Sequence, residues 1–173
     1  IITSDDTVAA RCKQIANHGM VKQYHHDVVG INSRLDGLQA AILRVKLKHL
    51  RGYLAARQAA AARYDALLDT CPGVHIPVRE HRSSHVFHQY TLKIEGGRRD
   101  ALLAHLAEQG IPSGIYYPVP GHAQQAFSQF QYNPDAYPVS AELAQTVLSL
   151  PMHTELTEEQ QEFISDVIIK FIN

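Results

Sequence analysis

Apolar positions recur at helical spacing over several stretches of the chain and at strand spacing over one. Ser4, Asp5 and Asp6 set short acceptor side chains ahead of Val8, Cys12 and Ile15, and this pattern predicts a helix from about Asp6 to Asn17. Asn17, His18 and Gly19 tolerate positive φ and end it, and Met20 to Ile31 is polar, His-rich and aperiodic, as a functional loop is. Ser33, with Asp36 three residues on, predicts the next helix cap, after which Leu35, Leu38, Ile42 and Val45 form one apolar stripe. The helical pattern runs on through Leu54 and the alanine-rich stretch to Leu68, with Gly52 as the expected place for a kink. Unbroken, such a helix is about 50 Å long at about 1.5 Å per residue, enough to bridge two domains.

Beyond Cys71-Pro72-Gly73 the pattern changes. Val86, His88, Tyr90, Leu92 and Ile94 alternate with their neighbours and predict a strand closed by Glu95-Gly96-Gly97. Arg98 to Gln109 carries Leu102, Leu103 and Leu106 on a helix stopped by Gly110, and Ser113 to Tyr117 reads as a second strand cut off by Pro118 and Pro120. A short helix follows from Val139 to about Val147, broken at Leu150-Pro151. Thr157 then caps a last helix on which Phe163, Val167 and Phe171 sit four apart. Strand, helix and strand in this order suit a small α+β domain. There is no internal repeat and no low-complexity tract.

A length of 173 residues fits one domain, or a small domain plus part of another. With 45% hydrophobic and 19% charged residues the chain has the balance of a globular protein. Sixteen Lys and Arg against seventeen Asp and Glu create no overall field toward nucleic acid or an anionic membrane, so small molecules and proteins are the expected partners. No apolar run is long enough to span a bilayer, and Ile1-Ile2 lacks a basic segment before it, so a cytoplasmic location is expected. Cys12 and Cys71 lie in no CxxC pattern and read as small packed side chains. The chain opens without Met in what reads as a strand end, which leads us to expect a preceding segment.

Three places could carry chemistry. His25-His26-Asp27, or His81, His85 and His88, could hold a metal, but on a strand residues 85 and 88 point to opposite faces and no thiolate joins them, so no metal site is expected. Gly30 to Asp36 presents an amide (Asn32), a hydroxyl (Ser33) and a guanidinium (Arg34) at a predicted helix N-terminus, where backbone N–H groups and the helix dipole favour a phosphate. The alternative is that Ser33 only caps and Arg34 only pairs with Asp27 or Asp36. In Gly114 to His122 two prolines stiffen a turn and bring Tyr117 and His122 near each other, where phenol and imidazole can hold a sugar hydroxyl or a phosphate oxygen. The alternative there is a turn with packed aromatic rings.

Taken together, Tyr24-His25-His26-Asp27-Val28-Val29-Gly30-Ile31-Asn32-Ser33-Arg34-Leu35-Asp36-Gly37-Leu38-Gln39-Ala40-Ala41, His85-Val86-Phe87-His88-Gln89-Tyr90, Tyr116-Tyr117-Pro118-Val119-Pro120-Gly121-His122 and Leu148-Ser149-Leu150-Pro151-Met152-His153 resemble the sugar aminotransferases related to DegT, DnrJ, EryC1 and StrS, in that family's order. The resemblance implies an α/β fold-type-I transferase that uses pyridoxal 5′-phosphate at a homodimer interface. Residues 1–52 would end the large domain, and residues 53–173 would form the small α+β domain, joined by the long bridging helix. Asn32, with Arg34 beside it, is implied at the cofactor phosphate of the partner subunit. Tyr117 and His122, with Tyr116 and His26, are implied on the nucleotide-sugar side. Gly121 stands where many members carry a larger apolar residue.

The resemblance also places the family's Schiff-base lysine, the aspartate on the pyridine nitrogen and the stacking aromatic upstream of Ile1, so no catalytic residue is expected in this chain, and the chain alone is expected to be inactive. The intact protein is then expected to move an amino group, with glutamate as donor, onto a nucleotide-linked ketosugar. Two rivals remain at this point: a non-catalytic regulatory or binding module, and a relative that keeps the cofactor but dehydrates the sugar.

Overall fold

The computed structural model describes the backbone of residues 1–173 and every side chain except that of Pro134. It divides into two compact units, Ile1–His49 and Leu50–Asn173.

In the first unit, helix α1 (Asp6–Ala16) begins where Asp5 accepts from the backbone N–H groups of Thr7 (2.8 Å) and Val8 (3.1 Å). His18 and Gly19 then take positive φ, as their side chains lead one to expect. The stretch read as a loop contains a small antiparallel hairpin, β1 (Met20–Lys22) with β2 (His25–His26). Helix α2 (Gly37–Leu47) is capped by Asp36, whose N–H donates to Gln39 Oε1 at 3.2 Å, and not by Ser33. The acid lies three positions later than the serine, and Leu35 at φ +57 keeps the intervening residues out of the helix. None of the α2 side chains is buried.

The expected continuous helix is broken. Helix α2 ends at Leu47, Lys48-His49 form a turn in which His49 N–H donates to the Lys46 carbonyl (3.0 Å), and α3 (Leu50–Leu68) follows, so the interruption precedes Gly52, which lies inside α3.

The core of the second unit is a three-stranded antiparallel sheet in the order β3 (Val74–His75), β4 (Tyr90–Ile94), β5 (Val147–Leu150). Tyr90 pairs with Leu150 and Leu92 with Leu148. Tyr90, Leu92 and Ile94 turn one face of β4 into the core, against Tyr64 and Leu68 of α3, Leu102 and Leu106 of α4 (Arg99–Glu108), and Ile164 and Ile168 of α6 (Glu158–Ile172). Helix α5 (Pro138–Thr146) runs directly into β5.

Four expectations are corrected here. The strand predicted from Val86 starts only at Tyr90, because Phe87 takes φ +48 and its N–H donates to His85 Nδ1 at 2.9 Å. Ser113 to Tyr117 is not a strand; only Gly114 bridges to Ser149. β5 lies where a helix end and a break were expected. On α6 the buried stripe is Gln161, Ile164, Ser165, Val167, Ile168 and Ile172, while Phe163 is exposed. The Thr157 cap is present, with Gln160 completing a capping box. No helix among the described residues is long and apolar enough to cross a membrane.

Two core phenols give the second unit a pH signature. Tyr64 donates to the Pro151 carbonyl (3.2 Å) and Tyr90 to Asp65 Oδ1 (2.7 Å), with their rings 5.0 Å apart. Burial pushes both phenols well above the ordinary value, and for Tyr90 the Asp65 carboxylate adds to it. The folded form therefore keeps two protons that the unfolded chain releases above about pH 10. Stability is intact below that pH and falls above it, by about 1.4 kcal/mol per pH unit for each phenol. Tyr64→Phe should remove one phenol's share of that slope, as measured by urea unfolding at successive alkaline pH values; an unchanged slope would show that the phenol ionises in place.

Candidate functional site

The first unit builds its candidate site by folding the segment after β2 back onto the end of α1. Ile31 N–H donates to the Ile15 carbonyl (2.8 Å), His18 N–H to Ile31 (2.9 Å) and Ser33 N–H to Ala16 (2.9 Å), while Asn17 and Asn32 form an antiparallel bridge. This close return needs glycine: a Cβ on Gly19 would lie 1.7 Å from the Val28 carbonyl oxygen, and one on Gly30 would lie 2.1 Å from Gly19 N.

Arg34 then ties the two asparagines together, donating through Nε to Asn32 Oδ1 (3.1 Å) and through Nη1 to Asn17 Oδ1 (2.9 Å). Neither acid named as its alternative partner is used. The Asn32 oxygen thus accepts from Arg34, while its NH2 group offers two donors. Arg34, Asn17, Ser33 and Lys13 line one cavity of about 730 Å³. Two cations and several donors around one space suit an anion. At the N-terminus of α2 the N-cap residue is Asp36, whose carboxylate puts a negative charge beside the helix end. His26 Nδ1–H donates to the His18 carbonyl at 2.8 Å, which fixes its tautomer.

The second unit holds the tyrosine-proline turn. Gly114 and Ser149 exchange backbone hydrogen bonds (3.1 and 2.7 Å), anchoring the segment to β5. The Tyr116–Tyr117 peptide is cis, and the two rings meet edge to face at 5.9 Å. The turn closes with Ala123 N–H donating to Pro120 and Gln124 Nε2 to Val119. Tyr116, Tyr117 and His122 line one cavity of about 520 Å³ together with Thr91, Gln124 and Ser140, and the His122 ring lies 4.5 Å from that of Tyr137. Its lining contains no Asp, Glu, Lys or Arg. Such a wall of hydroxyls, amide and imidazole suits a neutral, hydroxylated ligand.

Among the described residues no group of three His, Cys, Asp or Glu could hold a metal. His85 instead stacks on Phe87 (4.3 Å between centroids), and His81 pairs with Glu80. Sequence reasoning did not find Lys13 and Asn17 on the first cavity. It also missed a third cavity, of about 390 Å³, beside Arg57, Gln89 and Ser113.

The model of the DegT/DnrJ/EryC1/StrS aminotransferase family matches residues 1–169. A pleiotropic regulatory protein of Geobacillus stearothermophilus is 44% identical over 173 residues, covering 99% of this chain and 46% of its own length. A UDP-N-acetyl-3-dehydro-alpha-D-glucosamine 3-aminotransferase of Acidithiobacillus ferrooxidans is 43% identical, covering 97% of this chain and 44% of its own. Among solved structures, S. venezuelae DesV in complex with a ketimine intermediate superposes with a TM-score of 0.86 at 35% identity, over 99% of this chain and 46% of that one. The chain thus spans a little under half the length of the relatives it matches. The mixed α/β fold expected of a fold-type-I transferase is present, and the family works with pyridoxal 5′-phosphate. The chain belongs to the DegT/DnrJ/EryC1/StrS aminotransferase family.

Proposed function

We propose that the protein to which this chain contributes transfers an amino group, with glutamate as donor, to a ketone on a nucleotide-linked sugar, and that it does so as a homodimer. The first unit is then part of the cofactor-binding large domain and the second the small domain. The observation that carries the reading is the cavity shared by Tyr116, Tyr117 and His122, whose lining offers hydrogen bonds to a sugar and contains no Asp, Glu, Lys or Arg. Two relatives support it by their own activities, the Acidithiobacillus enzyme above and a UDP-2-acetamido-2-deoxy-3-oxo-D-glucuronate aminotransferase of Pseudomonas aeruginosa, 40% identical over 156 residues.

Arg34, on the lining of the cavity of about 730 Å³, fits the cofactor's phosphate by its charge, and Asn32, whose oxygen it holds, stands beside that lining with an amide NH2 able to donate. When bound, pyridoxal 5′-phosphate supplies the electron sink for amino transfer. The residues of this chain bind and orient. Arg34→Ala should therefore act twice, by removing charge and by releasing the Asn32 side chain. We expect at least a tenfold loss of cofactor affinity in the full-length protein, measured by equilibrium dialysis, with Arg34→Lys recovering only part because an ammonium lacks the two-pronged geometry. Unaltered affinity in Arg34→Ala would remove Arg34 from the site.

The decisive experiment is to incubate the full-length protein with glutamate and a UDP-linked 3-ketosugar, and to look for the amino sugar and 2-oxoglutarate together. Absence of both refutes the proposal. A second reading, regulation without turnover, is favoured by the name of the Geobacillus relative alone; it predicts that the same protein binds the nucleotide sugar and forms no product.

A further inference from the structure

Two cavities of the second unit share a wall. The one of about 520 Å³ has Thr91 in its lining, and the one of about 390 Å³ has Ser149. These two residues are register partners on β4 and β5, and their hydroxyls are 2.8 Å apart. Tyr116 completes the wall: among the described residues it is the one common to both linings.

The place of the Tyr116 ring depends on the missing side chain of Gly114. Gly114 does not take positive φ, so its backbone conformation is open to other residues. Space is the constraint instead. A Cβ on Gly114 would lie 3.0 Å from Tyr116 Cε2 and 3.1 Å from both Cζ and Oη, inside the separation of about 3.5–4.0 Å at which carbon atoms ordinarily touch. The backbone cannot retreat, because Gly114 N–H donates to the Ser149 carbonyl (3.1 Å) and Ser149 N–H donates to that of Gly114 (2.7 Å). The ring can, since Tyr116 is 48% exposed. An added methyl group would therefore displace the phenol and leave the backbone bridge in place.

We infer that Gly114 is a positioning residue for Tyr116: it seats the phenol ring as the partition between the two cavities, and the partition limits the size of the sugar that the larger one admits. The seating stands on the packing alone, whereas the size limit rests on the transamination reading above.

A double-mutant cycle in the full-length protein tests both. Gly114→Ala should raise KM for a UDP-linked 3-ketosugar by about fivefold or more, with kcat within about twofold, and in a Tyr116→Ala background the same change should raise it by less than about twofold, because the ring it displaces is gone. Equal effects in the two backgrounds overturn the seating. Tyr116→Ala alone should shift the ratio of kcat/KM between 2-acetamido and 2-hydroxyl forms of that sugar by about fivefold or more toward the bulkier one. An unaltered ratio overturns the size limit. If Gly114→Ala does not fold, recovery of folding in the double variant supports the same seat, and failure of both overturns it. Fluorine resonances of the 173-residue chain grown with 3-fluorotyrosine give a readout independent of turnover. The Tyr116 signal, identified by its loss in Tyr116→Phe, should move in Gly114→Ala while the urea midpoint changes little, and a stationary signal overturns the seating. If the full-length protein makes no amino sugar while that signal moves, the proposed function and the size limit fail together and the seat stands.

Discussion

Leu92→Ala should lower the unfolding free energy of the Leu50–Asn173 unit by about 2–5 kcal/mol, while the same change at Leu38 should cost less than about 0.5 kcal/mol. Leu92 is fully enclosed in the central strand, facing Leu148 across the β4–β5 pairing, whereas Leu38 on α2 is 75% exposed. The first truncation leaves a cavity whose walls belong to helices on one side and strand neighbours on the other, and these cannot all close inward together. The second removes surface that is already in water. Urea midpoints followed by circular dichroism, at unchanged denaturant slope, measure both. Equal costs would mean that the sheet is not the centre of the unit.

The difference between these two leucines also explains what could be read from the chain and what could not. Helices α1 and α6 were legible because their caps are local, Asp5 and Thr157 bonding to N–H groups two or three residues on, and α4, which has no side-chain cap, because of its leucine spacing and the Gly110 stop. Strand β5 was not, because all four of its residues are buried and it follows α5 without a turn residue, so neither alternation nor punctuation announces it. The late start of β4 depends on Phe87 at positive φ, a conformation for which a phenylalanine gives no warning. Asp36 displaced Ser33 as the cap although both are good capping residues. Periodicity was blind to the break at Lys48-His49, since both residues are acceptable in a helix.

At the candidate site the same rule holds. Prolines 118 and 120 made the tyrosine turn visible, and Tyr116, Tyr117 and His122 do share a cavity. The partner of Arg34 was not visible, because Asn17 lies seventeen positions earlier and reaches it only after the chain doubles back. The Arg57 cavity was further still from view, with walls drawn from α3, the Gln89 and Ser113 segments and the end of β5. Tertiary convergence leaves no mark on spacing.

Replacing Leu38, Ile42 and Val45 of α2 by Glu, Lys and Glu should turn a self-associating chain into a monomer of 19.3 kDa. These side chains, at offsets of four and three, lie on one face of the helix and are 75%, 54% and 61% exposed. Each large apolar side chain moved out of water stabilises its new environment by about 1.5–3 kcal/mol, so three together favour association by about 5 kcal/mol or more before ordering costs are subtracted. That difference corresponds to about a thousandfold or more in the dissociation constant. Sedimentation equilibrium distinguishes the outcomes: the unaltered chain should be larger than a monomer at micromolar concentration and the variant should not. The form of the association matters as much as its strength. A single dimeric species would support the homodimer proposed above, since an isologous contact closes on itself. An open-ended series of sizes would count against it, because a stripe that sticks without closing has no self-complementary partner surface. A monomeric unaltered chain would show that water tolerates this face of α2.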